Sequence, residues 1–366
     1  MRITGIAIAI CLLTGAAARA AEPSLAAVPG VAWVVKVKKR GEIGRGLYQF
    51  STPLIDGERV VIGSAGGRVV SIDRRRGERR WEFVTDGPVV AGIAAASAHL
   101  YFGDAKGIVY AVRAADGMAE WRQEVGGEVA GTPLVLDNVL YVTTAGGELI
   151  AIDRATGARK WRTSRRMTVA PFSVKGGSSP VMVEGRIVFG APDGKILAVD
   201  AASGALAWEV QLAAPATAVH DVDTTPLRHG GLLIAAAADG PLVAFAPQNG
   251  RIAWRADLGT VNPLAIESGT LYLAGAGRVY ALDAGTGRTR WQTRLPVDET
   301  SGPVIIGDRL LLLSPIDQAF VVDKATGTLL GKRHMGSGSY GHPVADGNDA
   351  YFITDAGSAV ALRIPN

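Results

Sequence analysis

One short pattern recurs along this chain and constrains its fold more than any other feature. In its clearest copy, AIDRATGARKW at residues 151–161, an aliphatic run ends in Asp153, a turn contains Gly157, and Trp161 follows eight residues after the aspartate. Aligned on that aspartate, the copies fall at positions 73, 113, 153, 200, 246, 283, 323 and 363. Three of these positions carry other residues, namely Arg113, Ala246 and Arg363. The spacings of 40, 40, 47, 46, 37, 40 and 40 residues indicate a chain built from repeated units.

Each unit has the pattern of four β-strands. In the third unit, strand-like runs TPLVLD, VLYVTTA, ELIAID and RKWRTS are separated by turn residues at 137–138, 146–147 and 156–157. The recurring pattern is therefore the hairpin between the third and fourth strands, where the Asp153 carboxylate can cap the turn and Gly157 can adopt a positive φ. Four strands in about forty residues is typical of a propeller blade. The sequence predicts an all-β, eight-bladed β-propeller of four-stranded blades.

The two ends of the chain predict how the ring closes. The last unit stops after its third strand, whereas VAWVVKV at residues 31–37 precedes the first unit and carries the Trp of a fourth strand. Pairing of this N-terminal strand with the C-terminal blade would remove an open edge. Seven of the eight fourth strands then have a Trp at the equivalent position, and the eighth has Gly331. These seven account for every Trp of the chain: Trp33, Trp81, Trp121, Trp161, Trp208, Trp254 and Trp291. We expect these rings to pack between blades rather than to form a ligand-binding cage.

Residues 1–20 have the pattern of an export signal peptide. Arg2 is followed by an apolar run too short to span a bilayer, and Ala18-Arg19-Ala20 has the small-x-small form of a cleavage site. We expect a signal peptide at 1–20, a linker at 21–30 and the propeller at 31–366. The alternative is lipidation of Cys11, the only cysteine, although Ile10 before it is larger than a lipidation site favours. Without Cys11, the mature chain has no thiol for a disulfide, a metal or a nucleophile.

Other candidate sites give weak signals. The formal charge of +4 argues against nucleic-acid binding, and RRRGERR at 74–80 spans a predicted turn, which favours a solvated surface. The five histidines, at positions 99, 220, 229, 334 and 342, show no metal-ligand spacing. GSGSYG at 336–341 lacks the lysine and the helix of a phosphate-binding loop. We therefore expect no metal, no cofactor and no nucleic-acid partner.

The repeats resemble those of the pyrroloquinoline-quinone propeller superfamily over nearly all of residues 31–366. That superfamily contains both quinone dehydrogenases and non-catalytic scaffolds, so the fold alone does not give the function. Two longer segments, SRRMTVAPFSVKGGSSP at 164–180 and QLAAPATAVHDVDTTP at 211–226, resemble loops of the BamB family, which serves β-barrel assembly in the bacterial outer membrane.

In the BamB family these two loops contact BamA, the central barrel-forming subunit. The resemblance implies five contact positions here: Phe172, Val174, Lys175, Asp221 and Asp223. Phe in place of an aliphatic residue and Lys in place of Arg depart from the family pattern, and Lys lacks the planar fork of Arg. A further departure is the weak lipidation signal, because proteins of this family are normally lipoproteins.

The spacing within the two segments supports one shared patch. Lys175 lies five residues before Pro180 and Asp221 five before Pro226, and both prolines precede equivalent first strands of adjacent units. We expect both loops on one face, with Asp221 and Asp223 exposed to solvent, where apolar anchors and charges suit docking. The alternative is that Lys175 merely pairs with Asp221 and that Asp223 caps its own turn through Thr225.

These observations predict a non-catalytic periplasmic scaffold, associated with the outer membrane through the assembly complex. It would dock on a BamA-like subunit, and a blade edge could also hold unfolded β-barrel precursors by strand addition. The alternative function is that of a quinone- or sugar-binding propeller, acting as a dehydrogenase or a sensor; a generic exported interaction platform is a third. Many quinone dehydrogenases carry an adjacent Cys pair, which this chain lacks. Whether the central channel binds a small ligand stays open from the sequence.

Overall fold

The computed structural model describes residues 28–37, 49–163, 177–212, 221–238, 240–259 and 263–365. Within these residues every regular element is a β-strand, and the strands form eight four-stranded antiparallel sheets. Seven sheets are built from four strands consecutive in sequence, and the eighth combines the first strand with the last three. The predicted eight-bladed propeller is confirmed.

The strands are numbered β1 to β32 along the chain, and blade 1 begins with β2. Strand β1 and blades 1 to 4 comprise β1 Gly30–Lys36; β2 Leu54–Asp56, β3 Arg59–Ser64, β4 Arg68–Asp73, β5 Arg79–Val84; β6 Ala94–Ala96, β7 His99–Gly103, β8 Ile108–Arg113, β9 Ala119–Glu124; β10 Leu134–Leu136, β11 Val139–Thr143, β12 Leu149–Asp153, β13 Arg159–Arg162; β14 Val181–Val183, β15 Arg186–Gly190, β16 Lys195–Asp200, β17 Leu206–Gln211. Blades 5 to 8 comprise β18 Leu227–His229, β19 Leu232–Ala236, β20 Leu242–Phe245, β21 Ile252–Ala256; β22 Ala265–Glu267, β23 Thr270–Gly275, β24 Arg278–Asp283, β25 Thr289–Arg294; β26 Val304–Ile306, β27 Arg309–Leu313, β28 Gln318–Asp323, β29 Leu329–His334; β30 Val344–Asp346, β31 Asp349–Ile353, β32 Ser358–Arg363.

The second and third strands of each blade are apolar on both faces because each blade lies between two others. In β11, Leu140 and Val142 pack in a cluster with blade 2, whereas the intervening Tyr141 packs in a cluster with blade 4. Successive side chains of a strand point to opposite faces, so one continuous apolar run serves two interfaces. The fourth strands are less buried, and in β13 Trp161 is half-buried while the other three residues are exposed.

The ring is closed by pairing of the N-terminal strand with the last blade. Strand β1 is antiparallel to β32, with Trp33 opposite Ala361. Eight apolar clusters join each blade to the next, and the one between blades 8 and 1 contains Tyr351 and Ile62. The predicted closure is therefore confirmed.

Every Trp packs against the turn of the following blade, as predicted. The indole Nε1 of Trp121 donates a hydrogen bond to the carbonyl oxygen of Arg154 at 3.0 Å, and its ring covers Gly157 in the turn between β12 and β13. Gly157 has a φ of +75°, and a Cβ there would lie 2.8 Å from the indole Cδ2. Seven turn glycines lie against the seven Trp rings in this way: Gly77, Gly117, Gly157, Gly204, Gly250, Gly287 and Gly327.

The position without Trp has a structural explanation. Gly331 lies in β29, the fourth strand of blade 7, and the Trp equivalent to it would cover the turn of blade 8. In blade 8 the third strand is β32 and the fourth is β1, from opposite ends of the chain. No turn joins these two strands, so a Trp at position 331 would have no turn glycine to cover.

The repeated aspartate caps the same turns. Oδ1 of Asp153 accepts hydrogen bonds from the amides of Ala155 and Thr156 at 3.1 and 3.0 Å. In blade 2, where Arg113 replaces the aspartate, Asp116 takes over: it forms an ion pair with Arg113 at 2.7 Å and accepts from the Met118 amide at 3.1 Å. The turn is thus retained although the residue at the repeat position has changed.

Candidate docking segments and central cavity

The five predicted docking residues divide between described and undescribed parts of the chain. Phe172, Val174 and Lys175 lie outside the described residues, as do residues 213–220. Asp221 and Asp223 are described, together with the inner ends of both segments at 177–180 and 221–226.

The inner ends of the two segments lie side by side. The Ser178 hydroxyl donates to the Thr224 carbonyl oxygen at 3.0 Å, and the Ser179 amide donates to the Thr225 hydroxyl at 3.3 Å. The first strands of blades 4 and 5 begin directly afterwards, at Val181 and Leu227. The expectation that both segments reach the same face of adjacent blades is confirmed for these ends.

Asp221 does not face solvent, contrary to the sequence-based expectation. Its exposed fraction is 5%. The Ala238 amide donates to the Asp221 carbonyl oxygen at 2.8 Å, and the next amide, that of Val222, donates to Ala191 at 3.1 Å. The chain has therefore already entered the space between blades 4 and 5 at this point, which explains why the expectation was wrong for Asp221.

Asp223 is half-buried and lies in a different environment from Asp221. It lines the central cavity of the propeller rather than the gap between blades. The Thr225 hydroxyl, which the alternative hypothesis assigned to Asp223, accepts a hydrogen bond from Ser179 of the neighbouring segment. Thr225 thereby links the two segments.

The central cavity has a volume of about 450 Å³ and lies where the innermost strands begin. Every blade contributes residues that precede or begin its first strand: Phe50 and Thr52; Val90, Ala91 and Gly92; Ala130 and Thr132; Gly177 and Ser179; Asp223, Thr224, Thr225 and Leu227; Pro263 and Leu264; Glu299, Thr300 and Ser301; Tyr340 and His342. Phe50 and Tyr340, from blades 1 and 8, contact each other with ring centroids 5.8 Å apart.

His342 is a titratable group that lines the cavity. Burial lowers its pKa to about 4, because desolvation disfavours the charged imidazolium. The ring is therefore neutral at physiological pH. Its Nδ1 is buried without a hydrogen-bond partner among the described residues. No sequence pattern indicates this role, because a single His before a predicted strand has no motif.

The basic tract at 74–80 is neutralised by neighbouring acids. Arg74 pairs with Asp346 at 2.5 Å, and Arg80 pairs with Asp73 at 2.7 Å. The Arg80 hydrogen bond is the main cause that lowers the pKa of Asp73 to about 2. These side chains have partners within the propeller, which agrees with the expected solvated surface.

The described residues contain neither a candidate metal site nor a candidate membrane-spanning helix. No three His, Cys, Asp or Glu side chains there lie close enough to hold a metal ion. No helix in the same part of the chain has the length and apolar character needed to cross a membrane.

A closed ring of Trp-linked, four-stranded blades defines this chain as a propeller of the pyrroloquinoline-quinone-like repeat class. It belongs to the family described as outer membrane protein assembly factor BamB, whose sequence profile matches residues 30–90, 84–293 and 275–366. The outer membrane protein assembly factor BamB of Alkalilimnicola ehrlichii is 29% identical over 204 residues, or 54% of this chain and 53% of that protein. The match thus spans about half the length of that relative.

Solved structures show the same fold. BamB from Moraxella catarrhalis superposes with a TM-score of 0.78 at 19% identity, covering 92% of this chain and 99% of that one. The quinohemoprotein alcohol dehydrogenase of Comamonas testosteroni superposes with a TM-score of 0.71 at 16% identity, covering 92% and 76%. At these identities the similarities establish the fold alone.

Proposed function

We propose that this protein is a non-catalytic periplasmic scaffold for outer-membrane β-barrel assembly that docks on a BamA-like subunit. The observation that carries the proposal is the match of the BamB family to residues 30–366, which includes both long segments. The solved BamB has the same fold over 99% of its chain, which is what membership of one family requires. Holding of unfolded barrel precursors at a blade edge belongs to the same proposal.

The docking surface in this proposal consists of segments 164–180 and 211–226. Their inner ends are joined by hydrogen bonds from Ser178 and Ser179 to blade 5, so the two segments leave the propeller next to each other. Phe172 and Val174 would supply apolar contacts, and Lys175 and Asp223 would fix the register of the partner. Asp221 would act by holding the segment in place, since it is buried.

The quinone-dehydrogenase alternative is less well supported by the cavity. Pyrroloquinoline quinone carries several carboxylate groups, and in this cavity it would meet the carboxylates of Asp223 and Glu299. Like charges in a shared, partly buried site repel each other. No Lys or Arg is among the described residues that line the cavity. The described lining therefore offers no cationic side chain to the carboxylates of an acidic quinone and does not fit it.

Export forms part of the proposal, because the partner lies in the bacterial envelope. The signal peptide at 1–20 lies outside the described residues and stays a prediction. Mass spectrometry of protein recovered from the periplasm should give a mature chain that begins at Ala21. A lipid-modified chain that begins at Cys11 would instead show the lipoprotein topology.

Binding of the mature protein to the periplasmic domain of the BamA-like subunit from the same bacterium tests the docking surface. The variants Lys175→Ala and Asp223→Asn should each raise the Kd about tenfold or more, because each removes one charge from the interface. Asp308→Asn is the matched control, since its side chain is 86% exposed and lies on blade 7. If wild type, Lys175→Ala and Asp223→Asn bind equally well, these segments are not the interface. If wild type does not bind, the scaffold function fails.

A further inference from the structure

A buried polar group without a hydrogen-bond partner suggests that the central cavity is a ligand-binding site. His342 lines this cavity, and its Nδ1 has no hydrogen-bond partner among the described residues. Buried polar atoms in proteins are nearly always hydrogen-bonded, and an unsatisfied one is destabilising. A neutral imidazole has one donor and one acceptor nitrogen, so a ligand hydroxyl group can satisfy either one.

The other polar groups of the cavity have the same amphoteric character. The lining side chains that carry hydroxyl groups include six from five blades: Thr52, Thr132, Ser179, Thr225, Thr300 and Ser301. A hydroxyl group can both donate and accept, whereas the carboxylates of Asp223 and Glu299 only accept. A ligand with several hydroxyl groups could donate to the carboxylates and exchange hydrogen bonds with the remaining side chains.

The cavity also has one aromatic side. Phe50 and Tyr340 belong to blades 1 and 8, with ring centroids 5.8 Å apart. Thr132, Ser179 and Asp223 belong to blades 3, 4 and 5, on the opposite side of the ring. A flat ligand could therefore place its C–H face against the aromatic rings while its hydroxyl groups reach the polar side.

From these observations we propose that the central cavity binds a neutral, polyhydroxylated small molecule of the carbohydrate class. Its volume of about 450 Å³ lies within the range of small-molecule sites in proteins. A ligand hydroxyl group can donate to Asp223 and Glu299 and can also accept from the hydroxyl-rich wall, whereas an ammonium group can donate to both but cannot accept from the wall. The inference does not depend on the proposed function, although Ser179, Asp223 and Thr225 belong both to the cavity lining and to the docking segments.

Calorimetric titration of the mature protein with glucose, maltose and N-acetylglucosamine tests this site, with saturation-transfer NMR as a second readout. At least one of these sugars should bind saturably. His342→Leu removes both ring nitrogens, and Thr132→Val removes one hydroxyl without changing the side-chain shape. Each should weaken binding about tenfold or more, as expected when a buried hydrogen-bond partner is lost. His334→Leu is the control, because that side chain is 71% exposed on blade 7.

Three results would overturn the proposal. One is the absence of saturable binding by all three sugars to the folded wild-type protein. Another is unchanged sugar binding in both variants when they are folded. If His342→Leu does not fold, the Thr132→Val result alone is used. The third is binding of putrescine or citrate, an amine and an acid, in place of the sugars. Binding to the BamA-like subunit is measured separately, so failure of one proposal is distinguishable from failure of the other.

Discussion

Gly77 lies beneath the indole ring of Trp33, so close that a Cβ on Gly77 would stand 2.7 Å from the ring carbon Cγ. Trp33 belongs to β1, which is paired with the last blade, whereas Gly77 lies in the third turn of the first blade. The indole Nε1 also donates to the Arg74 carbonyl oxygen at 2.8 Å. The contact that joins successive blades elsewhere in the ring therefore also joins its two ends.

This packing predicts that turn glycines beneath a Trp tolerate substitution poorly. Gly157→Ala should lower the free energy of unfolding by about 2–4 kcal/mol, because Ala is strained in the left-handed backbone conformation of Gly157 and its Cβ would clash with Trp121. Gly185→Ala is the matched control, because Gly185 has a φ of +77° but no atom within 4 Å of an added Cβ. Gly185→Ala should lower the free energy of unfolding by only about 1 kcal/mol, because it adds backbone strain without a clash. Equal losses in urea denaturation would show that the Trp contact adds nothing.

The ring-closing strand predicts a second stability difference. Trp33 is 9% exposed, and Trp33→Ala should lower the free energy of unfolding by about 3–5 kcal/mol, as expected for a buried aromatic side chain. Val34, the next residue in the same strand, is 56% exposed, so Val34→Ala should cost less than about 0.5 kcal/mol. Thermal and urea unfolding of both variants provide the measurement. A Trp33→Ala protein as stable as the Val34→Ala control would argue that the strand does not hold the ring.

The sequence predicted the blades because the repeat encodes local structure. The aspartate cap, the turn glycine and the Trp recur at fixed spacing, and the missing last strand implied how the ring closes. Asp221 was predicted wrongly because its burial depends on where the segment enters between two blades, not on its neighbours in sequence. The cavity could not be predicted either, since His342, Phe50 and Asp223 come together only through closure of the ring.

Burial of Asp221 predicts a structural effect that is separate from partner binding. Asp221→Ala should lower the free energy of unfolding by about 1–3 kcal/mol, since it removes a polar group from a site shaped around it. Asp308→Ala, at a side chain that is 86% exposed, should change stability by less than about 0.5 kcal/mol. Urea denaturation of the two variants provides the comparison. Equal stability of both would indicate that the Asp221 side chain does not help to hold the segment between the blades.

The neutral state of His342 predicts how stability depends on pH. Its pKa is about 4 in the folded protein and 6.5 in the unfolded chain, so between these values the unfolded state binds the proton. Lowering the pH from 6.5 to 4 therefore favours unfolding, by up to about 3 kcal/mol from this group alone.

His342→Gln should remove that contribution and flatten the pH dependence between 6.5 and 4. Asp223 and Glu299 share the cavity with His342, so the difference between variant and wild type isolates the histidine. Urea midpoints at several pH values within this window provide the measurement. Parallel pH profiles for wild type and His342→Gln would mean that the imidazole is accessible to protons, and would also weaken the argument that it awaits a ligand.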